Sequence, residues 1–552
     1  MNRFSINWLA SVTLMTVLGS LSFGFMYGCQ TQKEDSFSLE LDRENAIKRS
    51  RRIIFNNDGD DLIYAPTPTT KEGFLSVRTD HVSETMVDSI FYFSRKPISP
   101  IYSGAVHTEP MATRLRALEK AGTDDLKLGI EASRKQGIEI FWSMRMNDIH
   151  DNAKDESEIA QWKREKPHFL MGKHEDKKKY SETSPYYFWT FVDYAHPEVR
   201  DVIVETFKNV LRNYDVDGVD LDFLRHPAFF QETRDFKPVT KQHLELMTDL
   251  VRQIREEVLE ASSRRGKAIL LSVRILPTLN QNRYFGFDIQ NWVKQGYVDL
   301  IVVGGGYDPF TKPAKDMIDH GHQWGVPVYV CLSSSGFTHT IADGRFFSTD
   351  TSQWNQSSAQ ASDLVALQSW RAAAANAWFS GADGIMTFNL FPKYPGSRAT
   401  TMARQVWKEI GDPKKLRYQD KLYAIDNLKD MNVGFMMGSV PVNDRLPIEI
   451  KKGVLAQCIL PIADDLAANE EDLKSLDIRL KLTGFTGNEA ITVKINKEQL
   501  NLKKGESDWL IGEIPAGVIH QGQNLLKVKL EKSKSSLILS AVEVEVKYKH
   551  SQ

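Results

Sequence analysis

Residues 214–227, Tyr-Asp-Val-Asp-Gly-Val-Asp-Leu-Asp-Phe-Leu-Arg-His-Pro, concentrate the side chains of this sequence that could do chemistry. Val219, Leu221 and Phe223 alternate with Asp220 and Asp222, and period-two alternation over so short a run predicts a β-strand. An unpaired carboxylate inside a sheet protein is costly, so one acidic strand face must meet partners or water. The aspartates are therefore expected to face a solvated or functional cavity. Asp222 lies nearest the strand's C-terminal end, with Arg225 and His226 just beyond it. Asp217 and Asp220 also admit a plainer reading, as turn and supporting residues that hold the strand end.

The elements needed to position this strand recur along the chain. Apolar, β-rich runs occur at 51–57, 89–93, 138–148, 268–274, 298–304, 326–332 and 384–389, which with the acidic strand makes eight. Helical spacing separates many of them, at 124–135, at about 199–213, at Lys241–Ser262 and at the alanine-rich 369–380. Repeated β-then-α alternation argues for a parallel sheet, and eight strands for a closed (β/α)8 TIM barrel over residues 50–415. An open doubly wound sheet is the alternative, but no G-x-G-x-x-G follows the first strand. Residues 151–185 are rich in Lys, Glu, Asp and His and read as a long solvated loop, of the kind that often forms a lid. Beyond Tyr423, short alternating strands at 477–482, 490–495, 524–530 and 542–548 predict a C-terminal antiparallel β-sandwich over 423–552. It is expected to be accessory, structural or carbohydrate-binding.

Composition narrows the classes. The 552 residues carry 70 basic and 72 acidic side chains, a balance that gives no reason to expect a nucleic-acid partner. The three cysteines, Cys29, Cys331 and Cys458, supply neither a disulfide framework nor a zinc pattern. Cys29 has another meaning. It follows a short basic start at Arg3 and an apolar run from Trp8 to Met26, and Met26-Tyr27-Gly28-Cys29 resembles a bacterial lipobox. The resemblance implies a signal peptide over 1–28, lipidation at Cys29, a polar tether over 29–49 and a lipoprotein held outside the cytoplasm, in the periplasm or at the cell surface. An uncleaved membrane anchor and ordinary secretion are the alternatives, and both are also extracytoplasmic.

Barrel enzymes work at the C-terminal ends of their strands. Reading those ends gives Asp58 and Asp60 (first), Arg145, Asn147 and Asp148 (third), Asp220, Asp222, Arg225 and His226 (fourth), Arg274 (fifth), Tyr307 and Asp308 (sixth), Ser333 (seventh) and Asn389 (eighth). Acidic, basic and amide groups together suit a hydroxyl-rich substrate. His320 and His322 are the only close histidine pair, and they precede the seventh strand, at the wrong end for catalysis. No metal and no cofactor is expected.

Asp217-Gly218-Val219-Asp220-Leu221-Asp222-Phe223 resembles the D-G-x-D-x-D-x-E strand of family 18 chitinases. That family's acid, a glutamate, would fall at Leu224, which cannot donate a proton. The layout is more similar to the glycosyl-hydrolase-like proteins related to glycoside hydrolase family 10. There a signal precedes a barrel, a run like His196-Pro197-Glu198-Val199-Arg200 opens the helix before the fourth strand, and that strand is acidic. The resemblance covers about 50–415 and implies cleavage of a poly- or oligosaccharide by two carboxyl groups. On that reading Asp222 is the nucleophile or charge stabiliser, with Arg225 as counter-charge. Asp308 is the proton donor, because an aspartate pair on the fourth and sixth strands resembles barrel α-galactosidases; Asp148 and Asp58 are reserves. Arg145, Arg225, His226 and Arg274 would suit an anionic substituent. Leu224 keeps a non-catalytic carbohydrate-binding barrel as the rival. A different hydrolase or lyase is the third reading, which a metal cluster at the strand ends would bring forward.

Overall fold

The structure is a computed structural model that describes residues 38–94, 96, 100, 109–153, 155–157, 159–181, 184–235, 237–306, 308–334, 336–337, 356–427, 446–533 and 535–550. Cys29 and Tyr307 lie outside the described residues. Eight parallel strands close on themselves: β1 (Ile53–Asn57), β2 (Val87–Tyr92), β3 (Glu139–Arg145), β4 (Gly218–Asp222), β5 (Leu270–Ile275), β6 (Leu300–Gly306), β7 (Val328–Ser333) and β8 (Gly384–Phe388), with β8 paired to β1. This is the barrel expected from the β/α alternation. β4 is shorter than its apolar alternation suggested. One oxygen of Asp222 accepts the Leu224 and Arg225 amides, both at 3.0 Å, and this turns the chain out of the sheet.

Alternation along each strand divides the core. Ile54, Phe91, Phe141, Leu270, Leu300, Val302, Tyr329, Cys331, Met386 and Phe388 fill the barrel interior, while the intervening residues pack under the helices. Phe141 stacks on Phe91 at 4.5 Å. Its ring leaves no room at the start of β4, where a Cβ on Gly218 would stand 2.1 Å from Phe141 Cε1. Above this apolar layer the interior turns polar. Ser143, Asp220 and Ser272 stand side by side on β3, β4 and β5; one rung higher stand Arg145, Asp222 and Arg274.

The opposite end of the barrel is plugged. Arg51 and Glu139 form a buried ion pair there, and a helix over 38–48 covers them. Its residues reach the barrel through Arg43 to Asp299 (2.8 Å), Asp42 to the Ala268 amide (2.7 Å) and the Ala46 carbonyl to Arg51 (2.7 Å). The tether expected over 29–49 is therefore folded from residue 38 onward. Distant ion pairs hold that helix, and no local pattern announces them.

Residues 151–185 also differ from expectation. They form short helices (Gln161–Glu165, Asp176–Lys179) and 3-10 turns rather than a wholly solvated loop. Phe169 and Met171 are buried, Trp162 stacks on Phe169 at 5.4 Å, and buried Lys163 bonds both Asp151 oxygens at 3.0 and 3.1 Å. The exposed charges at Asp155, Glu156, Arg164, Glu165, Lys173, Glu175, Lys178 and Lys179 meet the reading of a solvated, charged segment.

After the barrel come β9 (Lys421–Ala424), β10 (Ile448–Ile450), β11 (Leu455–Ile462), β12 (Leu473–Thr483), β13 (Ala490–Ile495), β14 (Glu498–Gln499), β15 (Lys503–Lys504), β16 (Trp509–Glu513), β17 (Gly522–Lys532) and β18 (Leu537–Tyr548). They form two antiparallel sheets, one ordered β10-β18-β12-β16-β15 with β9 on β18, the other β11-β17-β13-β14. Among the described residues no helix is long and apolar enough to cross a membrane.

Candidate functional site at the C-terminal mouth of the barrel

Asp222 stands at the centre of the upper polar rung. Arg274 grips both of its oxygens, Nε at 2.9 Å on one and Nη2 on the other. Arg274 also donates to Asn56 Oδ1 at 2.7 Å and lies over the Phe388 ring at 5.1 Å. The counter-charge expected from Arg225 thus comes from Arg274, its in-register neighbour on β5. Arg225 gives Asp222 only its backbone amide; its guanidinium turns to His150 Nε2 at 3.0 Å. One rung below, Asp220 is fully buried and accepts from Ser143 at 2.7 Å. Burial raises its carboxyl above the usual range, against the pull of Arg274.

The end of β3 builds a second cluster. Asp148 accepts from Arg145 at 3.0 Å on one oxygen; on the other it accepts the His150 amide at 2.8 Å and meets His150 Nδ1 at 2.5 Å. Burial works against its charge, but His150, Arg145 and His226 outweigh it and hold the carboxyl well below the ordinary carboxylate range. Arg225 can only donate, so His150 Nε2 accepts and Nδ1–H donates to Asp148. His226 stands edge-on to His150 with ring centroids 5.2 Å apart. Burial and the neighbouring cations hold His226 neutral, well below the usual histidine range.

Arg145 joins this cluster to a third, at the end of β1. Its guanidinium lies 4.1 Å over the Phe93 ring, and Asp58 and Asp60 join Asp148 in stabilising its charge against burial. Asp58 pairs with Arg78, which also donates to Asn57 Oδ1 at 2.8 Å and lies 4.2 Å over Phe391. Asp60 precedes a one-turn helix (Asp61–Tyr64) and is partly exposed. Burial pushes the Asp61 carboxyl up to about 6, with Arg78 pulling the other way.

The remaining expected residues divide. Asp308 is buried at the end of β6 with Lys312 Nζ at 3.8 Å. Asn389 directly follows β8 in the left-handed region (φ 57°), a conformation asparagine tolerates, and its carbonyl accepts from Ser334 at 3.0 Å. Asn147 is spent on the backbone: its amide nitrogen donates to Val192 O (3.0 Å) and Ala228 O (2.5 Å), and its oxygen accepts the Val192 amide (3.2 Å). It latches two loops over the mouth. Asn56, Arg78, His150 and Lys163 had not been picked out from sequence. A signal existed for His150, two residues past a chosen strand end; Arg78 belongs to the long β1–β2 connection, and only folding brings it to the mouth.

Known proteins resemble the chain at two levels. It is 31% identical over 144 residues to an S-layer-related protein of Niallia circulans, a match covering 25% of this chain and 9% of that relative's length. An alpha-amylase from Geobacillus thermoleovorans solved with acarbose matches at 12% identity and TM-score 0.38, over 88% of this chain and 100% of the other. A family 18 N-acetylglucosaminidase from Paenibacillus barengoltzii matches at 13% and 0.32, over 65% and 100%. Structural likeness this distant says nothing of substrate. Residues 79–328, from before β2 to the first residue of β7, match the Glycosyl hydrolase-like 10 family model, and over that stretch the barrel is similar to that family.

Proposed function

We propose that the chain is an extracytoplasmic glycoside hydrolase that cleaves a poly- or oligosaccharide with two carboxyl groups of the barrel mouth. The observation that carries this is the polar rung Arg145–Asp222–Arg274, which ends the barrel's inner column where barrel enzymes hold substrate. Asp222, with its charge balanced by Arg274, serves as charge stabiliser or nucleophile for an oxocarbenium-like transition state. Asp308 at the end of β6 is the second carboxyl, the proton donor. Asp58, Asp60, Arg145, Asp148, Arg225 and His226 bind sugar hydroxyls or an anionic substituent around the pair. The lipobox-like Met26–Cys29 supports attachment to a membrane by lipid at Cys29. Radiolabelled palmitate incorporated by the wild type and lost in Cys29→Ser is the expected outcome; equal labelling in both would remove the anchor.

Turnover of neutral and acidic polysaccharides by the wild type, Asp222→Asn and Asp308→Asn, each checked for an unchanged melting curve, tests the function. The expectation is release of reducing ends by the wild type and a loss of at least about 100-fold in both variants, the range of a lost acid–base group. Equal activity in Asp222→Asn would remove it from the pair. One feature favours a second reading, a carbohydrate-binding barrel without catalysis: both Asp222 oxygens are already committed to Arg274 and two amides. Binding of the panel without turnover would select it.

A further inference from the structure

Asp148, His150 and His226 each offer a ligand atom, and these atoms all lie within 4.8 Å of one another. The sequence hides the grouping, because Asp148 and His150 follow β3 whereas His226 follows β4. We propose that these three side chains bind a divalent transition-metal ion at the barrel mouth, with Zn2+ the best match to two imidazoles and one carboxylate.

Four features support the site. Among the described residues His226 Nδ1 is buried without a hydrogen-bond partner, an arrangement a metal would satisfy. Asp148 is buried and anchored through its other oxygen by Arg145 at 3.0 Å, the outer support that fixes a ligating carboxylate. The His150 side chain is 41% exposed, which gives an entry path and leaves room for water or substrate in an open coordination position. The group also stands at the C-terminal strand ends, the catalytic end of a barrel, whereas His322 at the other end is bonded to Asp383 at 2.9 Å.

Metal–ligand bonds of about 2.0–2.2 Å place donors roughly 3.0–3.5 Å apart, so the three side chains, whose ligand atoms lie within 4.8 Å of one another, readjust around an ion. Ligation through His150 Nδ1 moves that atom's proton to Nε2. Nε2 then no longer accepts from Arg225, whose guanidinium swings away. A metal in this position would act as a Lewis acid beside the Arg145–Asp222–Arg274 rung. The inference rests on the cluster alone and does not depend on glycoside cleavage.

Calorimetric titration of the purified, chelator-treated chain with Zn2+, alongside metal content after dialysis, tests it without any substrate. One Zn2+ per chain is expected, with affinity at least about 10-fold weaker in His226→Gln and Asp148→Asn. A His320→Gln/His322→Gln double variant, altered at the opposite end, is expected to bind as the wild type does. Melting curves in the absence of metal establish that each variant folds. Should His226→Gln fail to fold, His150→Gln, altered on a half-exposed ring, carries the comparison. No uptake by the wild type, unchanged affinity in the folded mouth variants, or loss only in the His320/His322 variant would overturn the site.

Discussion

At the scale of residues, the barrel mouth holds its charges in opposed states. Arg274 is buried and, among the described residues, Asp222 is the carboxylate that pairs with it directly, so removing that partner leaves a buried cation without its ion pair. Asp222→Ala is expected to cost about 3–5 kcal/mol in urea unfolding, whereas Asp222→Asn keeps an acceptor and costs less; equal losses would mean that charge is not what holds the pair. Asp61 works the other way. Burial raises its carboxyl to about 6 in the folded chain, while in the unfolded chain it titrates near 3.8. Between those values the folded state keeps a proton that the unfolded state has released, so stability falls as pH rises through the window. The full effect is about 3 kcal/mol, and Asp61→Asn is expected to flatten the melting-temperature profile between about pH 4 and 6. An unchanged slope would assign it to other groups. Asp222 was legible from its position at a strand end. Its partner was not, since choosing Arg274 over Arg225 needs the β4–β5 register, which no single strand's pattern contains.

At the scale of elements, the strands were legible because each side of the barrel wall demands apolar residues at alternate positions, and the sequence displays that demand directly. The cover over 151–185 was not. Its many charges suggest solvent, yet Lys163 is buried against Asp151 and the Asp148 carbonyl (3.2 Å), an internal ion pair that composition cannot distinguish from a surface one. Asn147 does for the neighbouring loops what Lys163 does for the cover. It joins the Phe188–Val192 segment to the turn after β4 through three backbone contacts, and so sets the height of His226 beside His150. Asn147→Ala leaves those buried backbone groups without partners, at a cost of about 2–4 kcal/mol. Hydrogen exchange is expected to quicken at 188–194 and 224–230 while the strands stay protected. Uniform acceleration across the barrel would show instead that the latch supports the whole fold.

At the scale of the molecule, the β-sandwich was legible as a separate texture, but its attachment to the barrel was not. β9 leaves the barrel and pairs with β18, the longest strand of the second unit. Directly after it, buried Asp426 accepts the Phe310 amide at 3.1 Å and the Thr311 amide and hydroxyl, both at 2.6 Å. Those residues follow Asp308 on the loop that ends β6, so the first residues of the sandwich fix the loop carrying the proposed proton donor. Buried Lys421 pairs with Asp464 at 3.0 Å, and Asn376 of the last long barrel helix reaches the Pro461 carbonyl at 3.2 Å. A junction of buried polar contacts couples two units more tightly than a flexible linker does, and the chain should therefore melt in one transition. Asp426→Ala orphans three donors and is expected to lower that single transition by about 2–4 °C, at roughly 1 °C per kcal/mol for a unit of this size. It should also reduce polysaccharide turnover while leaving Zn2+ affinity unchanged, because the Asp148 cluster lies on β3 and β4 and not on the β6 loop. Two separate transitions in the wild type, with the upper one untouched by Asp426→Ala, would mean that the sandwich is an independent module and that the barrel positions Asp308 on its own.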